Sequence, residues 1–368
     1  MDLTPYLKLM AEKNASDLFF CTGTEPRLKV EGNIRPVGST KLLPGEVEKM
    51  AMVTMSDEQK HEFETTLECN FAISMHEVGR FRVNIFRQRS EVSIVIRYIQ
   101  SNIPRLEDIN LPDSLKHIIM EKRGLILVVG ATGSGKSTSL AAMIGHRNRN
   151  SASHILTIED PLEFIHHHEK SIVQQREVGI DTLSYENALK NALREAPDVI
   201  LIGEIRDIET MKHAINYAET GHLCLATLHA NNANQALDRI LNFFPDLAHK
   251  QLLTDLSLNL KGIISQRLLR SVDGKLVPAV EVMLNTPYIA ELISKGSIGE
   301  IKEAMKDSAE EDIVTFDQAI FTLYKKGLIT LDEAIANADS KNDLSLAVRM
   351  DEGHSKESDN SVSELIMG

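Results

Sequence analysis

The hydrophobic pattern of the chain changes near residue 101. Before that point it is short and alternating. Leu3, Leu7 and Met10 are spaced to share one face of a helix over residues 3–13. Arg27–Val30 and Ile34–Val37 flank the turn residues Glu31-Gly32-Asn33 and predict a hairpin. Gly79–Phe86 and Val92–Tyr98 alternate and are rich in β-branched and aromatic residues, as half-buried strands are. Residues 1–100 therefore predict a small α+β domain, and Ser101-Asn102-Ile103-Pro104 opens a linker over 101–108.

Beyond the linker, continuous apolar runs replace alternation. Leu125–Val129, Ile155–Ile158, Val199–Ile202 and Leu223–Thr227 are separated by helical stretches. Apolar strands between helices predict an α/β domain with a parallel sheet covered on both faces, over 109–340. Residues 246–336 read as mostly helical, and the polar segment 341–368 as a disordered tail. Repeats of 20 to 50 residues are not seen.

Composition narrows the class without naming it. In 368 residues, 42% are hydrophobic and 25% charged, enough for two domains with buried cores. A formal net charge of −13 argues against nucleic acid as a partner. Apolar runs fall short of the roughly 18 to 20 residues that cross a bilayer, so direct membrane insertion is not expected. Met1-Asp2-Leu3-Thr4-Pro5 lacks a secretory layout, and Cys21, Cys69 and Cys224 stand too far apart in sequence for a disulfide framework. A reduced, cytoplasmic location is the expectation.

The chemistry begins at Gly130-Ala131-Thr132-Gly133-Ser134-Gly135-Lys136-Ser137-Thr138, a complete Walker A pattern between a predicted strand and a predicted helix. Glycines allow successive N–H groups to wrap phosphates, Lys136 supplies charge to the β- and γ-phosphates, and Ser137 can ligate Mg²⁺. The expected ligands are ATP and Mg²⁺. The other three strands also end in polar groups: Glu159-Asp160-Pro161-Leu162-Glu163, Gly203-Glu204-Ile205-Arg206-Asp207, and Leu228-His229. Ligands of open parallel sheets sit beyond the carboxyl ends of the strands, so these segments predict one composite site. Glu204 suits the metal-holding Walker B position. Glu163 is a candidate to activate water, with Glu159 as its rival or as a further metal ligand. His229 either senses the γ-phosphate or makes a structural hydrogen bond, and His222 is a weaker candidate.

Arg82 and Arg97 fall on neighbouring strands of the first domain, where solvated strand residues are the commoner reading. His166-His167-His168 reads as a solvated turn, because adjacent residues point in different directions and rarely chelate one ion. Arg87 and Arg89 read as an ordinary strand edge.

These motifs resemble the type IV pilus retraction ATPases, PilT and its paralogue PilU, within the secretion ATPase superfamily. The resemblance spans residues 1 to about 340. Ile158–Phe164 resembles the family's Asp box, Leu201–Asp207 its Walker B and Thr220-Gly221-His222 through His229 its His box, with Ser16-Asp17-Leu18 and Gln175–Gly179 as further matches. It implies a PAS-like N-terminal domain, a RecA-like ATPase domain with a helical C-terminal part, and a homohexamer with nucleotide between domains. It further implies that Glu163 is the catalytic base and that Arg82 and Arg97 contact phosphate. The ring would work at the cytoplasmic face of the inner membrane, under the pilus platform protein, and power retraction. Three departures point to the PilU side: Tyr288–Lys295 keeps the apolar positions of an AIRNLIRE-type segment but neither arginine, Ala196 replaces a usual aspartate, and a polar tail is added beyond residue 340. The implied role is accessory, beside a PilT-like ATPase. Two other readings are a nucleotide-responsive structural adaptor with little turnover, and a nucleic-acid or protein-export motor on the same core.

Overall fold

Alternation along one strand sets the architecture of the smaller half. In the computed structural model, which describes residues 2–310 and 312–351, Phe81, Val83 and Ile85 are fully buried while Arg80, Arg82 and Asn84 take the opposite face. The elements run α1 (Thr4–Glu12), β1 (Asp17–Phe20), β2 (Arg27–Val30), β3 (Asn33–Pro36), α2 (Glu46–Thr54), α3 (Asp57–Thr66), β4 (Glu68–Met75), β5 (Gly79–Gln88) and β6 (Glu91–Ile99). The strands form an antiparallel sheet of order β3-β2-β1-β6-β5-β4. Its buried face packs in one core with Met10, Val47, Met50 and Phe63 from the helices. The β2–β3 turn uses Glu31 and Gly32, both at positive φ (50° and 79°), the twist a two-residue hairpin needs. Cross-strand register places Arg82 opposite Arg97, and Arg97 opposite Asp17.

The larger half is built around central strands with no polar face. It comprises α4 (Ser114–Ile118), β7 (Gly124–Val129), α5 (Lys136–Asn150), β8 (His154–Glu159), β9 (Ile172–Glu177), α6 (Tyr185–Ala192), β10 (Val199–Ile202), α7 (Ile208–Glu219), β11 (Leu223–Leu228), α8 (Ala233–Phe243) and α9 (Asp246–Asn259). Then follow β12 (Leu260–Arg270), β13 (Leu276–Leu284), α10 (Pro287–Lys295), α11 (Ile301–Lys306), α12 (Phe316–Lys325) and α13 (Leu331–Asn337). The sheet order is β13-β12-β7-β11-β10-β8-β9. Every residue of β7, β10 and β11 is buried, and the run from β12 to β8 is parallel. The expected α/β fold class holds.

The contacts divide the chain into two compact units. One takes the chain up to Ile103 together with Glu159–His167 and Gln175–Ala188; the other takes Pro104–Ile158, His168–Gln174 and the chain from Leu189 onward. The expected contiguous division therefore misses two segments that leave the sheet domain for the smaller unit.

One further expectation is sharpened and one corrected. Residues 246–336 are not helical throughout: β12 and β13 form an antiparallel pair between α9 and α10. Both strands have a continuous buried run of five residues at their centre, so they show no alternation there, and periodicity cannot separate them from buried helix. Residues 341–351 are helical rather than disordered; Leu344 and Val348, four apart on one face, are buried. Leu344 packs in a core with Leu269, Phe316 and Ile320. Residues 352–368 of the expected tail lie outside the described residues. The altered segment at α10 buries the three apolar positions Ile289, Leu292 and Ile293, and carries a Glu291–Lys295 ion pair of 2.5 Å on its exposed side.

Candidate functional site

The phosphate loop is shaped by positions that only glycine tolerates. β7 ends at Val129, α5 begins at Lys136, and Gly133 and Gly135 between them sit at φ 77° and 88°. A β-carbon on Gly130 would lie 2.6 Å from the carbonyl oxygen of Gln266, and one on Gly135 would lie 2.7 Å from the Gln266 amide nitrogen. Nothing stands within 4 Å of such an atom at Gly133, so that face of the loop is open. The first turn of the 15-residue α5 holds no acidic residue, leaving its N–H groups and dipole available to an anion. Lys136 Nζ donates to the carbonyls of Gly130 and Ala131 at 2.8 and 2.9 Å, which curls the ammonium over the loop. The Ser134 hydroxyl is buried without a hydrogen-bond partner. Open glycines, an electropositive helix end and an adjacent ammonium fit a polyphosphate.

Cavities adjoin this loop on more than one side, and one of about 380 Å³ runs from Gly130 and Ala131 to His229, Asn231 and Arg239. A second, of about 280 Å³, follows Gly130–Ser134 and is closed by Asn231, Gln266, Arg267 and Asn337. Another, about 520 Å³, has a mixed wall that includes Glu107, Asp108, Leu111, Thr138, Gln266 and Leu268.

β10 and β11 are knitted together at their carboxyl ends: Ile205 N–H donates to Thr227 O at 2.8 Å, and the Thr227 hydroxyl donates to Gly203 O. Beyond these ties Glu204 Oε1 lies 2.8 Å from His229 Nε2, and Oε2 accepts from Arg206 Nε at 2.6 Å. The Glu204 side chain keeps 19% exposure, so a cation can reach it. His229 thus meets a site carboxylate rather than backbone. Asp207 caps α7, accepting from the Thr210 N–H and hydroxyl at 2.8 Å each, and these bonds hold its carboxyl below the usual range. His222 precedes β11 and contacts Thr220 and the Tyr217 carbonyl, so it lies at the opposite end of the strand from His229.

Ser137 and Thr138 lie in the first turn of α5, and Glu159, Glu163, Arg82 and Arg97 belong to the smaller unit. Glu159 closes β8 and its carbonyl accepts from Val178 N–H at 2.9 Å; Glu163 is exposed. Arg97 Nε donates to Asp17 at 2.9 Å, and Arg82 Nε lies 3.7 Å from Glu177. The two arginines face each other across β5 and β6, which repels unless each has a counter-charge; Asp17 and Glu177 supply these. Glu177 is wholly buried and neither carboxylate oxygen accepts a hydrogen bond. Burial pushes its carboxyl up, against the opposing pull of Arg82 and Arg80. His166 is buried, contrary to the expected solvated turn, because its N–H is fixed by the Gln175 side chain at 2.8 Å. Among the described residues no group of three His, Cys, Asp or Glu could hold a metal by itself.

Arg206, Gln266, Arg267 and Glu177 were not singled out from sequence. Arg206 stands two residues after Glu204 and was within reach. Gln266 and Arg267 were hidden in a range read as helical, and no local pattern marks Glu177 as buried.

The profile of the family described as "Type II/IV secretion system protein" matches residues 2–309. The chain is 55% identical over 351 residues to the type IV pilus ATPase PilU of Pseudomonas aeruginosa, covering 95% of this chain and 92% of that one. To the pilus retraction ATPase PilT of the same organism it is 40% identical, over 91% and 97% of the two chains. The crystal structure of the pilus retraction motor PilT with bound ADP superposes with a TM-score of 0.86 at 39% identity, covering 93% of this chain and 98% of that one. The larger unit is accordingly RecA-like. Taken with the loop and the strand-end acids, these matches mean that the chain belongs to the type II/IV secretion protein family and is an ATPase of its PilT/PilU type IV pilus branch.

Proposed function

We propose that this ATPase uses ATP and Mg²⁺ to drive type IV pilus retraction, as a PilU-like motor working beside a PilT-like one. The observation that carries the reading is the pairing of an open glycine cradle and Lys136 with a reachable, hydrogen-bonded Glu204 beyond the same sheet. Lys136 supplies charge to the β- and γ-phosphates. Ser137 and Glu204 hold Mg²⁺, directly or through water, with Glu159 as a further ligand. When bound, the ion neutralises charge on the phosphate oxygens. Glu163 orients and deprotonates water, His229 follows the γ-phosphate through its contact with Glu204, and Arg82 and Arg97 contact phosphate.

The assembly belongs to the proposal as well: a homohexamer at the cytoplasmic face of the inner membrane, acting on the pilus platform protein. Support comes from the PilU and PilT matches over nearly the whole chain. Among the described residues no helix is long and apolar enough to cross a membrane. The deciding experiment is phosphate release by the purified protein with Mg²⁺ and ATP, alongside Glu204→Ala. A wild-type rate well above the variant is expected. Equal, near-zero rates would return the chain to the structural-adaptor reading.

A further inference from the structure

β12 runs beside the strand that carries the phosphate loop. Ile264 pairs with Val128 and Ser265 with Val129, so the next two residues, Gln266 and Arg267, stand beside the start of the loop. Gln266 accepts from the Ser139 hydroxyl of α5 at 2.6 Å. Arg267 turns instead toward three other parts of the larger unit. Its Nη2 donates to the Asn231 carbonyl at 3.3 Å, two residues after His229, and lies 2.7 Å from Asp339 Oδ1. Its Nη1 donates to the Asn337 carbonyl, at the end of α13, at 2.9 Å. The guanidinium carbon sits 3.9 Å from the ring centroid of Phe316, the first residue of α12. The second oxygen of Asp339 is held by Lys302 of α11 at 3.1 Å. One side chain therefore ties the segment bearing His229 to α11, α12 and α13, and it does so from the wall of the 280 Å³ cavity along Gly130–Ser134.

We propose that Arg267 is a positioning residue for ATP hydrolysis: it holds the His229–Asn231 segment against the phosphate loop and links both to the C-terminal helices. The fork geometry matters, because a guanidinium can bond two carbonyls and a carboxylate at once while stacking on a ring, and a lysine cannot. A nucleotide in the loop changes the charge and packing of a cavity whose wall includes Arg267 and Asn337. The C-terminal helices then answer to the loop through that one side chain.

The turnover part of this inference rests on the ATPase reading above; a second arm needs only ADP binding. Arg267→Lys is compared with wild type in the full chain. ADP affinity and KM for ATP should stay within about threefold, while kcat falls about tenfold, as expected when a reacting group is held slightly out of place. Backbone hydrogen exchange over residues 331–351 should respond to ADP in wild type and no longer respond in Arg267→Lys. Asp339→Asn, which keeps the arginine but removes its ion partner, should give the same pattern more weakly, and it replaces Arg267→Lys should that variant not fold. A wild-type kcat in Arg267→Lys overturns the proposal. So does an exchange response to ADP that survives the substitution, or a loss of ADP affinity as large as the loss of kcat. Absence of turnover in wild type would count against the ATPase reading alone, and the exchange arm would still decide the role of Arg267.

Discussion

The strand-edge site of the larger unit and the arginine cluster of the smaller one use the same pairing, carboxylate with cation, in opposite settings. Glu204 keeps 19% exposure and receives short contacts from Arg206 and His229 on separate oxygens. Glu177 has no exposure, its oxygens accept no hydrogen bond, and its nearest cation contact is 3.7 Å long. A reachable, well-bonded carboxylate can exchange partners with an incoming ion at small cost, because water and side chains cover each intermediate state. A buried, under-bonded one stabilises its neighbours' charge while costing the fold its own desolvation. The first arrangement is suited to a site that cycles, and the second to one that stays armed.

The sharpest way to break the first half of this contrast is at Lys136. Lys136→Ala removes the ammonium that curls over Gly130 and Ala131, and should cut phosphate release by about a thousandfold. Retained hydrolysis would mean the site has been misassigned. Glu204→Gln comes next. The amide is the same size and can still accept from Arg206, so the fold should stand and ATP should still bind, while kcat drops about a hundredfold through loss of the metal-facing charge. Turnover in Glu204→Gln equal to wild type would show that its exposure is incidental.

How much of this could be read from residues alone follows the same division. The phosphate loop and the strand-end acids were legible because each is a local string next to an apolar run, and the parallel sheet brings strand ends to one edge by topology. Arg82 and Arg97 were legible as neighbours, since alternation puts both on one face of β5 and β6, but their counter-charges were not. Asp17 meets Arg97 across a pairing between residues 80 apart, and Glu177 reaches β5 from a segment that leaves the other sheet. Arg267 was lost for a different reason: burial on both faces erased the strand signal of β12. The segment 341–351 was read as tail because two buried positions, Leu344 and Val348, are too few to set a period among so many polar neighbours.

In the smaller unit the counter-charges can be tested separately. Asp17 is buried and serves three donors: Ser16 Oγ and Arg97 Nε at 2.9 Å, and Lys29 Nζ at 3.9 Å. Asp17→Ala leaves Arg97 opposite Arg82 without its counter-charge, and should destabilise the chain by about 2 kcal/mol in denaturant unfolding. Adding Arg97→Ala should recover part of that loss, because the repulsion goes with it. Additive losses in the double variant would show that the two arginines do not feel each other.

Glu177 should behave in the opposite sense, and its pH dependence gives the sign. Its carboxyl titrates above the ordinary glutamate value of 4.5 because burial outweighs the pull of Arg82 and Arg80. Asp160 and Asp181, the other charged groups facing it, push the same way as burial. Between the unfolded and folded values the native state holds the extra proton, so stability falls as pH rises through that window and levels off above it. Below the window the acid is neutral in both states and this loss is absent. Glu177→Gln has no proton to lose. The difference in melting temperature between wild type and Glu177→Gln should therefore be small near pH 4 and grow through the window. At pH 7 the variant should melt at the higher temperature. Titrations elsewhere in the chain are common to both proteins and cancel in that difference. A wild type more stable than the variant at pH 7 would mean that Arg82 and Arg80 repay the burial of the charge after all. A gain on removing it would mark Glu177 as kept for the arginines it orients, at the expense of the fold that surrounds it.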